Sequence, residues 1–275
     1  MPFATRGGVR LHWRLDGAEG KTPIVLLNSI GTDMSLWDEV VPHLLDDCRL
    51  LRLDMRGHGK SDAPGGDYNL SMLAADVAAI MDMAGFARAA IAGVSLGGMV
   101  AMQIALDHSD RVSALVAICT SAQMDAKAWD QRVKTVREEG VAAIADLVMS
   151  RFLSVEFVKD HPGAAAGLRG KLISMADTGY AGGGAAIRDM DLLERLGAIS
   201  APTLVVTGDR DVSTPFAGHG ALLLEGIPGA TAQRLDCAHL PPVEAPVELA
   251  ATMRRFLAHG QLEEIGAPRG WPSTP

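Results

Sequence analysis

No apolar run in this 275-residue chain approaches the roughly 18 residues a membrane-crossing helix needs. Positive charge is scarce as well. Lys and Arg number 25 against 33 Asp and Glu, a formal net charge of −8 with no basic cluster. That balance argues against nucleic acid or an anionic membrane surface as a partner. The opening stretch, MPFATRGGVRLHW, lacks the charged-then-apolar layout of a secretory leader. Only three cysteines occur, Cys48, Cys119 and Cys237, odd in number and far apart, which fits neither a disulfide framework nor a zinc site. Cys48 and Cys119 fall in or beside apolar runs and are expected as buried thiols. No internal repeat and no heptad seam is present. The expectation from these absences is a soluble, cytoplasmic protein that acts on a small molecule without metal or organic cofactor.

At 48% hydrophobic residues the chain can bury a large core as one domain, or as a domain with an insertion. Two short strand candidates, FAT and VRLHWRLDG, flank Gly7-Gly8 in a hairpin-like turn. Apolar runs then alternate with helical patterns. PIVLLNS (23–29) is followed by the expected helix SLWDEVVPHLL, CRLLRLDM (48–55) by SMLAADVAAIMDMAG, and ARAAIAGV by LGGMVAMQIALDH. VSALVAICT (112–120) reads as a further strand. Continuous apolar strands between helices predict a mostly parallel sheet flanked by helices on both faces. The alternation stops after Ser121, and residues 122–195 carry helical pattern alone, including WDQRVKTVREEG, VAAIADLVMSRFL and GLRGKLISMA. It resumes at APTLVVTGD and runs through ATAQRLDCAH to a final helix near 244–259. The reading is an α/β core over 1–121 and 196–262, a helical cap over 122–195, and a flexible Pro- and Gly-rich tail over 263–275.

Within AIAGVSLGGMVAMQIAL, Ser95 stands where a strand gives way to a helix, between small residues that permit a very tight turn. A serine hydroxyl needs a base to take its proton and a third group to hold that base. The order serine, acid, histidine is the one found where the nucleophile sits on such a turn. Asp211 follows the strand TLVVTGD, and His239 lies in DCAHLPPVEAP; both are at carboxyl ends of strands, where ligand-facing groups gather. Asp209, close by, competes as the acid or as a partner of Arg210, and Asp236 offers another carboxylate. His58 in RGHGKSD precedes the serine and reads as a loop residue. Negative charge developing on a carbonyl oxygen calls for two backbone donors: the N–H of Leu96 at the helix start, and one from the loop NSIGTDMSLW, for which Ile30 is the candidate. Asn28 either braces that loop or is an ordinary turn residue.

These motifs resemble the α/β-hydrolase superfamily, and most of all its 3-oxoadipate enol-lactonase branch. LLNSIGTDMSLWDEVVPHL, LRLDMRGHGKSDAP, AGVSLGGMVAMQIAL, DCAHLPPVEAP, WDQRVKTVREEG and IRDMDLLERLGAISAPTLVVTGDRD each look like segments of that group, cap included. The resemblance implies an α/β-hydrolase fold, Ser95 as nucleophile, Asp211 as orienting acid, His239 as base, and Ile30 and Leu96 as oxyanion donors. It implies hydrolysis of lactones or carboxylic esters through an acyl-enzyme. The chain departs from that branch in two places. Phe152 and Leu153 stand where members tend to have a tryptophan after the cap arginine, and Gly182-Gly183-Gly184 predicts a flexible cap segment.

A carboxylated lactone would need a cation in the pocket. Arg132 and Arg188 are the cap candidates and Arg151 a weaker one, each competing with surface pairing to Asp130 or Asp189. Ile144, Leu147, Val148 and Phe152 form a helical stripe that either lines an apolar acyl pocket or packs on the core. Trp37 and Trp129 are pocket walls or core. Substrate alternatives are N-acyl homoserine lactones and simple carboxylic esters. Peroxide-dependent chemistry, carbon–carbon bond hydrolysis and low-turnover ligand binding share the same triad, whereas Ser95 argues against a dehalogenase.

Overall fold

The computed structural model describes residues 2–259. The tail expected over 263–275 lies outside them. Strand β1 (Phe3–Arg6) pairs antiparallel with β2 (Val9–Asp16) across the Gly7-Gly8 turn, in the hairpin register Phe3↔His12 to Arg6↔Val9. Strand β3 (Thr22–Leu27) begins the parallel part of the sheet.

The helix expected from SLWDEVVPHLL is replaced by two single 3-10 turns, Met34–Trp37 and Val41–His43. Asp33 caps the first turn through the Ser35 N–H at 2.9 Å. Pro42 then lacks the N–H that an α-ladder would require. Trp37, Val40 and Leu44 are wholly buried, so tertiary packing replaces helical continuity. Trp37 is therefore core and not a pocket wall.

Strand β4 (Cys48–Leu53), helix α1 (Leu70–Met83), strand β5 (Ala89–Val94), helix α2 (Leu96–Asp107) and strand β6 (Val112–Ile118) follow. Beyond the inserted helices come β7 (Thr203–Gly208), then β8 (Thr231–Leu235). The sheet order is β1-β2-β4-β3-β5-β6-β7-β8, antiparallel from β1 through β4 and parallel from there on. The central strands are buried along their whole length, which is why their sequences are unbroken apolar runs.

Between β6 and β7 the chain forms α3 (Ala126–Glu139), α4 (Ala145–Phe152), α5 (Val155–Asp160), α6 (Pro162–Ser174) and α7 (Asp177–Asp189). The neck of this excursion is pinned where Leu192 N–H donates to the Ala122 carbonyl at 2.8 Å and Gln123 to the Asp191 carboxylate at 2.7 Å. The segment seats on the sheet by backbone-to-backbone approach: a Cβ on Gly179 would meet the Gly57 carbonyl. The expectation of a flexible Gly182–Gly184 run is corrected, because all three are buried inside α7. A Cβ at Gly182 would stand 2.6 Å from the Tyr68 ring and one at Gly184 2.9 Å from Val133, so the missing side chains let the helix pack closely. Helices α8 (Gly220–Gly226), α9 (Pro241–Glu244) and α10 (Pro246–His259) complete the described chain.

Candidate active site

Ser95 sits in the one-residue step between β5 and α2 with φ +54° and ψ −117°, a conformation that costs a non-glycine residue about 1–3 kcal/mol. The turn closes because its flanks are glycines. A Cβ on Gly93 would run into the Gly97 backbone, and one on Gly97 would lie 2.5 Å from the Leu27 carbonyl oxygen. The same contact holds the head of α2 against the end of β3. Thr120 Oγ1 donates to the Ser95 carbonyl at 2.7 Å and fixes the step from the β6 side. Met99 N–H bonds to the Ser95 carbonyl at 3.0 Å. The N–H of Leu96 belongs to the first helical turn, whose donors have no partner within the helix.

Ile30 follows β3 in a loop held from inside. The Asn28 amide donates to the carbonyls of Ser29 (3.1 Å) and Thr32 (2.7 Å), and Thr32 Oγ1 donates to Ser29 O at 2.8 Å. The Asn28 amide nitrogen thus braces this loop, while its buried Oδ1 has no hydrogen-bond partner among the described residues. A cavity of about 390 Å³ lies between this loop and α6. Its charged walls are largely paired with each other, His12 with Asp54 and Arg52 with Asp38 among them.

Asp211 and His239 emerge past β7 and β8, the two strands that follow β6 in the sheet. Asp211 Oδ2 is 2.9 Å from His239 Nδ1 and also accepts Thr214 Oγ1–H at 2.7 Å, while Oδ1 accepts the N–H groups of Ser213 (2.8 Å) and Thr214 (3.1 Å). Burial works against the charged carboxylate, but His239 and these donors outweigh it and hold Asp211 down at about 2. Asp209 instead pairs with Arg234 at 2.5 Å, and Asp236 with Arg210 at 3.2 Å, which removes both rivals for the acid position. Cys119, Asp211 and His239 bring ligand-type atoms within 4.8 Å of one another. That set does not suit a cation: Oδ2 and Nδ1 are already engaged with each other, and burial holds the Cys119 thiol protonated.

Phe152 lies over His239 with ring centroids 5.8 Å apart and planes inclined by 22°. Two further residues near His239 have no role legible in the sequence, although Glu244 lies within DCAHLPPVEAP. Thr214 is visible only as a hydroxyl three positions after Asp211. Glu244 accepts hydrogen bonds from Ser154 N–H (2.6 Å), Ser154 Oγ (2.9 Å) and Ala238 N–H (3.2 Å), tying the start of α5 to the His239 loop.

Of the apolar stripe, Ile144, Val148 and Phe152 are buried, whereas Leu147 is 47% exposed and leaves the candidate pocket. It lies about 100° around the helix from Val148. Arg188 is likewise excluded: it bonds Asp189 at 2.7 Å and Asp67 at 2.8 Å and approaches Asp130 at 3.6 Å. Asp130 also pairs with Lys134 at 2.8 Å, and Arg132 makes no ion pair among the described residues. Its guanidinium rests 4.4 Å from the centre of the buried Trp129 ring. It also adjoins Tyr180, whose wholly buried hydroxyl has no hydrogen-bond partner among the described residues. Burial raises the Tyr180 pKa, while Arg132 and then Arg151 oppose the shift. Tyr180 Cε2 lies 3.5 Å from where a Cβ on Gly31 would stand, so this polar edge adjoins the Ile30 loop.

Residues 22–246 match the alpha/beta hydrolase fold family profile. The chain is 31% identical over 257 residues to 3-oxoadipate enol-lactonase 2 of Acinetobacter baylyi, covering 92% of this chain and 96% of that protein. The structure of the enol-lactonase from Burkholderia xenovorans is similar with a TM-score of 0.91 at 34% identity, covering 94% of this chain and all of that one. An N-acyl homoserine lactone degrading enzyme is similar with a TM-score of 0.81 at 28% identity, over 93% of this chain and 100% of its own. This chain belongs to the alpha/beta hydrolase fold family.

Proposed function

We propose that the protein opens a carboxylated lactone of the 3-oxoadipate enol-lactone type through an acyl-enzyme on Ser95. The protein is an ester-hydrolysing enzyme of lactone or ester type, and the finer reading concerns its nucleophile and substrate. The observation that carries it is Ser95 at φ +54° on the head of α2, in one fold with an Asp211–His239 contact of 2.9 Å.

In this mechanism Ser95 Oγ attacks the lactone carbonyl as His239 Nε2 takes its proton. Asp211 keeps the other ring proton on Nδ1 and stabilises the imidazolium. The N–H groups of Leu96 and Ile30 bind the oxyanion. Loss of one such donor typically costs about 10²–10³ in rate. The acyl carbon–oxygen bond then breaks, and His239 returns the proton to the leaving enolate oxygen, which remains attached to the acyl chain. Water deprotonated by His239 attacks the Ser95 ester, Ser95 Oγ regains its proton, and the ring-opened acid leaves, its enol tautomerising to the ketone.

Arg132 and Tyr180 support the carboxylated substrate. A half-buried guanidinium without a carboxylate partner among the described residues, facing the buried Tyr180 phenol, is suited to an incoming carboxylate. A second reading, an N-acyl homoserine lactone, is favoured by the buried apolar set Ile144, Val148 and Phe152.

The test is ring opening across a panel from a carboxylated enol-lactone to homoserine lactones of rising acyl length, with wild type and Ser95→Ala side by side. The expected result is a preference for the carboxylated compound and a loss of about 10⁴-fold or more in Ser95→Ala. Preference rising with acyl length would select the second reading, and Ser95-independent opening would refute both.

A further inference from the structure

The sheet carries a second histidine–aspartate pair, separated from Asp211 and His239 by strands β3, β5 and β6. His12 on β2 and Asp54 just past β4 are both buried, with His12 Nδ1 2.7 Å from Asp54 Oδ2. Asp54 also accepts the N–H groups of Met34 at 2.8 Å and Lys60 at 2.9 Å. The carboxylate is the acceptor in every case, so Nδ1 carries the ring proton and Nε2 keeps a lone pair. Nε2 makes no hydrogen bond among the described residues, and unlike His58 Nε2 it is not closed off from solvent.

The second observation is the cavity of about 390 Å³ between the Ile30 loop and α6, which His12, Asp54 and Lys60 all line. Its volume is that of a site for a small organic molecule. Most of its cations are engaged: Asp16 holds Arg14 at 2.6 Å and Arg52 at 2.8 Å, and Lys171 lies 3.7 Å from Asp33. Lys60 is different. Its backbone N–H is bonded to Asp54, while its ammonium has no carboxylate partner among the described residues. His12 and Lys60 meet the same oxygen of Asp54, so the lone pair and the unpaired cation are neighbours on one wall. Met34 and Met175 add apolar surface to the same cavity.

We propose that this cavity is a second binding site, for a short hydroxy acid. The ligand's carboxylate pairs with the Lys60 ammonium, its O–H donates to His12 Nε2, and its carbon chain lies against Met34 and Met175. An acceptor beside an unpaired cation selects a molecule that brings a donor and a negative charge together. A plain carboxylate lacks the donor, and a neutral alcohol lacks the charge. The site does not depend on the role of Ser95.

The experiment titrates the full chain with 3-hydroxybutyrate, butyrate, 1,3-butanediol and inorganic phosphate, in wild type and Lys60→Ala, and follows the histidine ring nitrogens by NMR. The expected result is a shift of the His12 Nε2 resonance on adding 3-hydroxybutyrate. Butyrate should bind about tenfold more weakly, the scale of one neutral hydrogen bond, and leave Nε2 in place. Lys60→Ala should weaken 3-hydroxybutyrate about fivefold, the upper scale of an exposed ion pair, and leave 1,3-butanediol unchanged. Isothermal titration of the same set gives the affinities without any resonance assignment. A shift of His239 in place of His12, or 3-hydroxybutyrate affinity unaltered in Lys60→Ala, overturns the site. Phosphate binding as tightly as 3-hydroxybutyrate overturns the hydroxy-acid class.

Discussion

Phe152, at the end of α4 in the inserted helices, stacks on His239 of the sheet's far end, with 5.8 Å between ring centroids. The insertion therefore supplies one wall of the site and restricts the imidazole it covers. Phe152→Leu keeps apolar volume but removes the flat face. It is expected to lower kcat for lactone opening about tenfold with little change in KM, and to cost less than about 1.5 kcal/mol in urea unfolding.

Glu244 links the same two parts by hydrogen bonds to Ser154 and to Ala238 N–H, next to His239. Glu244→Ala leaves those donors unpaired and frees the His239 loop, with an expected fall in kcat of about 10–100-fold. Because Ser154 and Glu244 share bonds, adding Ser154→Ala is expected to lower kcat by less than the product of the two single effects.

Arg132 is tested by charge removal. Arg132→Leu is expected to raise KM for a carboxylated lactone about 10–100-fold, the scale of a charge-assisted hydrogen bond, and to leave KM for an uncharged lactone within about twofold. Arg188→Leu, at a site already bonded to Asp189 and Asp67, is expected to change neither.

Asp211 sets a pH dependence of stability. Its carboxyl titrates at about 2 when folded against an ordinary 3.8, so the folded state favours the ionised form. The resulting stabilisation, about 2 kcal/mol, is fully present above about pH 4 and is lost as pH falls toward 2. Urea unfolding of wild type and Asp211→Asn at pH 5 and pH 2 is expected to show a gap that narrows by about that amount on acidification. A constant gap would show that the carboxylate is not held in this way.

Ser95, Asp211 and His239 were legible because each lies in a short motif at a strand end, and strands buried on both faces announce themselves as apolar runs. Asp209 and Asp211 were not separable along the chain, since both follow β7 within a few residues. Three-dimensional pairing separates them, Arg234 taking one and His239 the other. The cap was legible as helical pattern but not in detail. Leu147 and Val148 are adjacent in sequence, yet one faces solvent and the other the interior. The Gly182–Gly184 run suggested looseness, because a glycine's intrinsic freedom is visible in sequence while a neighbour pressed against its Cα is not.

By itself the sequence determined the alternation of strands and helices, the insertion after β6, and the placing of Ser95, Asp211 and His239 at strand ends, because these depend on local periodicity and on residue type. Tertiary structure alone decided that the segment around Trp37 gives up its helix to bury side chains, that Arg188 but not Arg132 is bound by carboxylates among the described residues, and that Phe152 and Glu244 adjoin His239 or its loop. Those outcomes depend on which groups from distant parts of the chain meet. A charge, a ring or a lone pair acquires its role from the partner it finds or lacks.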